Sequence, residues 1–252
     1  MKSINQSEIF KWNGISIRQH VDVFKIGTDA LLLGAWIPKV VENPNRILDV
    51  GSGTGILALM MAYYFDDAVI TAIDFDEAAI ELADTNFKNS LWSERLVVQH
   101  ENIFDELNAA KNNFDLVICN PPFFYKQLEA KNNVNAKAKH AKDSSQIWME
   151  ALAGRLNTTS HLCIVVPFDT AYDWIVSANE CGLYCQDRMD IYSFQSDVIA
   201  ARSLLHFHTE LRLPEINRLN IYESYNQYTE AYLDFTKISH HPDRIKKTGQ
   251  KH

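Results

Sequence analysis

The chain begins with a short alternation of apolar and polar positions. Ile9, Phe10 and Trp12 lead to Asn13-Gly14 and then to Ile15 and Ile17. Asn-Gly between alternating apolar residues marks a two-residue β-turn, which predicts a small hairpin within 8–22. The run from Lys25 to Trp36 then sets Thr28 and Asp29 before an apolar stretch. That pattern predicts a short capped helix ending before Pro38, whose free N–H groups either form an ordinary cap or face a ligand. From residue 46 the rhythm becomes strand, loop, helix. Strands are predicted at 46–50, 68–73, 95–99, 114–119 and 161–166. Helices are predicted at 56–64, at 76–87 capped by Asp76, from a Ser144 cap through Leu152, and at 169–181 before Gly182. Alternation of this kind builds a parallel sheet with helices on both faces. The strand-like stretches 184–193 and 201–208 are seven residues apart, too close for a parallel crossover of about a dozen residues. They should pair antiparallel and give one reversed strand at the sheet edge. A further strand-like stretch, 219–222, leads into a helix over 227–237, while 124–143 has no pattern and reads as a long loop. The expected fold is thus an α/β, doubly wound, seven-stranded, mostly parallel sheet with one antiparallel edge strand and an N-terminal hairpin. One domain would span 1–238, followed by a flexible basic tail over 239–252.

Composition narrows the setting. Of 252 residues 46% are hydrophobic, ample for a core, yet no apolar run approaches the length of a membrane helix. The first residues, Met1-Lys2-Ser3-Ile4, lack a signal-peptide core, which points to the cytosol. Cys119, Cys163, Cys181 and Cys185 have no metal-ligand spacing and read as reduced thiols, with no metal site. A net charge of −8 argues against indiscriminate nucleic-acid binding. The distribution is uneven, however. Lys126, Lys131, Lys137, Lys139, His140 and Lys142 share a segment whose only acids are Glu129 and Asp143. Such a run is either a solvated face or a local phosphate-binding patch.

Two loops carry candidate chemistry. After the strand ending in Asp49-Val50 comes Gly51-Ser52-Gly53-Thr54-Gly55, where glycine lets backbone approach a ligand. The spacing fails the dinucleotide fingerprint, since position 56 is Ile. One βα unit later Asp74 ends a strand, placed to accept ribose hydroxyls. Asn120-Pro121-Pro122-Phe123 follows the apolar strand 114–119. The prolines hold the chain extended, so the Asn120 oxygen and the Pro121 carbonyl can face a planar N–H group while Phe123 stacks on its ring. The alternative is a proline-stopped strand with a hydrophobic plug.

The glycine loop resembles the first motif of class I S-adenosylmethionine-dependent methyltransferases. That resemblance implies a Rossmann-like fold and puts the methionine portion on Asp49, Gly51, Gly53 and Gly55, with adenine near Asn102. Asn-Pro-Pro-Phe resembles the motif of methyltransferases that modify amide or exocyclic nitrogens. Together with Lys25-Ile26-Gly27-Thr28-Asp29-Ala30-Leu31-Leu32-Leu33-Gly34-Ala35-Trp36 and Asn226-Gln227-Tyr228-Thr229-Glu230-Ala231-Tyr232, these motifs resemble the bacterial valine-tRNA adenine-N(6) methyltransferase family over roughly residues 10–237. The family implies methylation of the adenine next to the anticodon by a monomeric, cytoplasmic enzyme. It also implies Lys25, Gly27, Thr28 and Asp29 at the cofactor pocket. Lys126, Lys131, Lys137, Lys139 and Lys142 would then meet tRNA phosphates. Position 123 is Phe where the family has Tyr, and Asn102 stands for an acid. Guanine-N(2) methylation of ribosomal RNA and glutamine-amide methylation of a protein are the rival reactions. An inactive RNA-holding subunit is the rival of a different class.

Overall fold

A computed structural model describes residues 8–105, 114–121, 134–225 and 227–237, the backbone alone for 134–143. β1 (Glu8–Trp12) and β2 (Ile15–Gln19) form the expected hairpin, with Trp12 opposite Ile15. Asn13 and Gly14 take φ of 46° and 80°, the left-handed pair whose twist matches that of the strands. Asn86 fastens the hairpin to the domain. It accepts from Arg18 N–H at 2.9 Å and donates to the Arg18 carbonyl and to the Thr54 carbonyl of the glycine loop.

α1 (Thr28–Val40) runs through Pro38 instead of stopping before it. Proline in a helix costs roughly 3 kcal/mol. The helix nevertheless buries Leu32, Leu33, Trp36 and Ile37, each worth about 1.5–3 kcal/mol. At Gly34 it lies so close to Met60, in the next helix along the chain, that a Cβ would collide with the sulfur. β3 (Arg46–Val50), α2 (Ile56–Tyr64) and β6 (Phe114–Cys119) keep their expected bounds. Between them lie β4 (Val69–Asp74), α3 (Glu77–Lys88), capped by Asp76 as expected, and β5 (Leu96–His100). Ser144 does not cap α4, which already begins at Val134 and runs to Ala153. The Ala- and Lys-rich stretch before Ser144 is thus partly helix instead of loop, in keeping with its propensities. β7 (Leu156–Pro167) is followed by a 3-10 turn, α5 (Ala171–Glu180), β8 (Tyr184–Phe194), β9 (Arg202–His208), β10 (Glu215–Ser224), β11 (Gln227–Tyr228) and α6 (Glu230–Lys237).

The sheet has nine strands in the order β11-β10-β8-β9-β7-β6-β3-β4-β5. It is mostly parallel, and its first seven strands in chain order after the hairpin form the doubly wound core. Two details differ from expectation. β10 and β11 extend the sheet beyond β8, and the reversed strand β9 lies inside, antiparallel to both β7 and β8. Ser203, Leu204, Leu205 and Phe207 of β9 are fully buried, which an edge position could not provide. Successive strands step outward from β3 to β5 and then return to β6 on the other side of β3. That reversal is a topological switch point, where open α/β sheets form a crevice beyond the carboxyl ends of the strands.

Away from that crevice a chain of imidazoles crosses β7, β9 and β8. Asp187 accepts from His206 at 2.7 Å, His206 faces His161 at 2.8 Å, and His208 lies 4.9 Å from the His161 ring. Burial first, then His206 and His208, push the His161 pKa from 6.5 down to about 4, against the opposing pull of Asp115 and Asp187. The folded protein therefore binds fewer protons here than the unfolded chain between those two values. This contribution to stability is complete above pH 6.5 and is lost as pH falls towards 4. Thermal melts of the wild type over that range should show Tm falling with pH, and His161→Gln should flatten the slope. An unchanged slope would remove His161 from the acid response.

Candidate active site

The crevice is lined first by the loop after β3. Gly53 has φ of 52°, and no atom lies within 4 Å of where its Cβ would stand, so its backbone face is open to a ligand. Gly55, with φ of 79°, is glycine for a different reason, because a Cβ there would strike the Phe87 ring of α3. The loop rests on the end of β4. Gly51 and Ser52 N–H both donate to the Ile73 carbonyl, at 2.9 and 3.1 Å. Gly53 N–H donates to Asp74 at 2.9 Å. The other Asp74 oxygen accepts from Asp76 N–H at 3.1 Å. Both carboxylate oxygens thus already hold one backbone N–H and keep further lone pairs for hydroxyl groups.

Asp49 lies beneath the loop, fully buried. One of its oxygens accepts from Ala58 N–H in the first turn of α2 at 3.1 Å. Its other oxygen has no partner among the described residues. Burial raises the Asp49 pKa to about 7, the Ala58 bond opposes this, and the nearby Asp74 adds to it.

Asn120 follows β6, whose last residue Cys119 pairs with Val50 on one side and Ile164 on the other. It therefore stands directly beside the glycine loop. Its side-chain oxygen is buried without a protein partner among the described residues, as are the hydroxyls of Ser52 and Thr54. Buried polar atoms are normally hydrogen-bonded. Four such atoms, on Asp49, Ser52, Thr54 and Asn120, lie on two adjacent strand ends. This is a donor and acceptor set shaped for a polar ligand, and it fits a nucleoside amino acid such as S-adenosylmethionine. Ser52 and Thr54 were not singled out by sequence, although both lie within the Gly-Ser-Gly-Thr-Gly run. Pro121 is buried, whereas Pro122, Phe123, Lys126 and Lys131 lie outside the described residues. Lys137, Lys139 and Lys142 fall on α4.

The other expected site residues take less uniform positions. Gly27, in extended conformation, is the N-cap of α1, and neither Thr28 nor Asp29 caps it. Asp29 instead pairs with Arg202 at 2.8 Å. Arg202 begins β9 opposite Pro167, so this pair holds the α1 start over the carboxyl edge of the sheet. No local signal in the sequence marks Arg202, because its partner is 173 residues away. Lys25 pairs with Glu8 of the hairpin at 2.7 Å, both exposed, an arrangement of small energetic weight. Asn102 spends one lone pair of its side-chain oxygen on Phe104 N–H at 3.1 Å and keeps another. The loop bearing it is anchored by an ion pair between Glu101 and the buried Arg155.

Comparison with known proteins shows the family and the fold. Residues 10–151 match the family model described as Methyltransferase small domain. A tRNA1(Val) (adenine(37)-N6)-methyltransferase from Haemophilus influenzae is 33% identical over 229 residues, covering 90% of this chain and 96% of the relative. One of the same name from Flavobacterium johnsoniae is 34% identical over 233 residues, covering 91% and 97%. Among solved structures, a predicted O-methyltransferase from Agrobacterium tumefaciens superposes with a TM-score of 0.63 at 17% identity, covering 83% of this chain and 96% of that one. P. horikoshii TYW2 in complex with MeSAdo gives 0.57 at 12% identity, covering 82% and 73%. At these identities the structures speak for the fold.

A carboxyl group with its pKa near 7 must give up its proton to receive a cation. Binding of S-adenosylmethionine, whose ammonium is such a cation, should therefore release about half a proton at pH 7. Titration calorimetry in two buffers of different ionisation enthalpy would measure the release. Asp49→Asn should abolish it and weaken binding about tenfold or more. Proton release that persists in the variant would assign it to another group.

Proposed function

The chain belongs to the tRNA1(Val) (adenine(37)-N6)-methyltransferase family, and from that premise we propose that it methylates the exocyclic nitrogen of the adenine next to the anticodon in a valine tRNA. It is an S-adenosylmethionine-dependent enzyme. The observation that carries the reading is the Asn120 side-chain oxygen, buried and without a protein partner among the described residues, beside the glycine loop. When bound, S-adenosylmethionine supplies an electrophilic methyl group on a sulfonium. We assign its methionine portion to Asp49, Gly51, Gly53 and Gly55, its ribose to Asp74 and its adenine to Asn102. Gly27 and Thr28 border the pocket from the α1 start. Asp29 acts there by holding that start in place through Arg202, and Lys25 lies beside it.

An exocyclic amino group is a poor nucleophile because its lone pair is delocalised into the ring. Asn120 and the Pro121 carbonyl accept its two hydrogens. This favours a pyramidal nitrogen whose lone pair is directed along the line of transfer. Pro121 and Pro122 hold the acceptors in place, and Phe123 stacks on the base. The proton leaves the nitrogen after transfer, so a strong base is not needed, in keeping with a motif that lacks His and Glu. In-line placement and fixed dipoles supply the acceleration. The target base has to leave its stack to enter. Asn-Pro-Pro-Phe alone would also suit guanine or a glutamine amide, and the names of the relatives favour adenine over both. Lys126, Lys131, Lys137, Lys139 and Lys142 form the phosphate-binding arm of a monomeric, cytosolic, metal-free enzyme. Residues 1–238 make up its single domain, and 239–252 a basic tail.

Asn120→Ala should reduce methyl transfer about 100-fold or more while leaving cofactor affinity within a factor of about three. Asp74→Ala should chiefly weaken the cofactor. Nucleoside mass spectrometry of tRNA treated with each protein, beside calorimetry with S-adenosylmethionine, reads both effects. Undiminished N(6)-methyladenosine from the Asn120 variant would sink the mechanism. Replacing the five lysines with Gln should weaken tRNA binding and flatten its dependence on log salt by roughly 0.7–0.9 for each phosphate no longer neutralised. An unchanged slope would take them out of the interface.

A further inference from the structure

Asn120 divides the carboxyl edge of the sheet. The glycine loop and Asp74 occupy the β3 and β4 side, so a target nitrogen facing the methyl group enters from the β7 side. On that side the edge continues through the end of β7 to the turn joining β8 to β9. Phe168 N–H, just after β7, donates to the Ala201 carbonyl at 3.4 Å. The turn presents Val198 and Ile199 to solvent, 92% and 71% exposed. In the sheet, β9 and β8 are the second and third strands from β6, which Asn120 follows.

This turn is well anchored. Phe194 and Asp197 bond reciprocally, backbone to side chain at 2.9 Å and backbone to backbone at 3.1 Å. Ala201 N–H donates to the Ile191 carbonyl at 2.7 Å. Arg218 lies 3.8 Å over the Tyr192 ring and donates to the Gln195 carbonyl at 3.1 Å. Beyond it, Phe194, Tyr222, Tyr228 and Tyr232 form a ladder of rings 4.9–5.6 Å apart that binds β10, β11 and α6 to β8. Two β-branched side chains are therefore held in water on a rigid frame, where a partner can meet them at little cost in ordering. Asp197 lies beside Arg218, which reaches its carbonyl at 3.5 Å, and Arg202 is paired with Asp29, so the patch has no surplus of positive charge to attract phosphate. Its apolar character suits the faces of unpaired bases, and it continues the target side of the Asn120 clamp.

We propose that Val198 and Ile199 form a wedge against which the anticodon-loop bases flanking the target rest once the target adenine has turned out. The wedge rests on the tRNA reading above, and its occupant is an unpaired stretch of RNA.

The test uses an anticodon stem–loop with 2-aminopurine in place of the target adenine, whose fluorescence rises on unstacking whether or not methyl transfer occurs. The double variant Val198→Ser, Ile199→Ser should lose at least half of the rise seen with the wild type. On the natural stem–loop it should lose about tenfold in kcat/KM. Tm, S-adenosylmethionine affinity and the salt slope of RNA binding should stay as in the wild type, and Val198→Leu with Ile199→Leu should restore the rise. A full rise and full kcat/KM in the Ser variant would overturn the wedge. So would a loss accompanied by a flatter salt slope, which would mark an interaction with phosphate. Failure of the wild type to make N(6)-methyladenosine would refute the reaction instead, since the fluorescence comparison does not depend on transfer.

Discussion

The pairing of β3 with β6 is the constraint on which the site depends. Val50 lies opposite Cys119, so the residues that follow each, the glycine loop and Asn120, leave the sheet side by side although roughly seventy positions separate them in sequence. Both strands are buried on both faces, with Ile47, Leu48, Leu116, Val117 and Ile118 almost wholly inaccessible. A one-residue slip would turn every one of these side chains to the other face, so the register is strongly determined. The core therefore does more than stabilise the fold. It sets the separation between the glycine loop and Asn120, the groups proposed to hold a methyl donor and to orient its acceptor, and in-line transfer is sensitive to such separations.

The same crevice concentrates polar groups that the fold does not satisfy internally. Asp49 sits fully buried, and burial first, with the nearby Asp74 adding to it, raises its pKa to about 7. A free-standing protein gains nothing from this arrangement. A cationic ligand placed there would relieve it. The hairpin takes part at one remove, since Asn86 joins Arg18 of β2 to the Thr54 carbonyl and so braces the loop from behind.

How much of this was legible in sequence follows from how local each cause is. The bounds of β3, α2 and β6, the Asn13-Gly14 turn and the Asp76 cap all follow from neighbours within a few residues, and sequence located them. Pro38 misled because a local rule lost to tertiary burial along α1. Ser144 looked like a cap because the apolar pattern starts there, while the helix before it is written in propensity instead of periodicity. The loop between β8 and β9 dictated antiparallel pairing but did not say on which side β9 would find its second neighbour. The apolar β9 decided that by pairing with β7 as well.

The same distinction separates the two halves of the site. Apart from the α1 start, the residues assigned to the cofactor, from Asp49 through Asp74 to Asn102, fall in one continuous stretch of βα units, where spacing along the chain maps onto spacing along the sheet edge. The target side is assembled from parts distant in sequence. Asn120 arrives from the middle of the chain, and the β8–β9 turn is tied to the end of β7. Motifs therefore reveal the donor readily and the acceptor only by chemical type. Asn-Pro-Pro-Phe specifies a planar amine, because two acceptors and a ring suffice for that. Which amine enters is decided by the shape of an edge that no short segment encodes, and relatives that share nearly the whole chain are more informative about the substrate than the motif is.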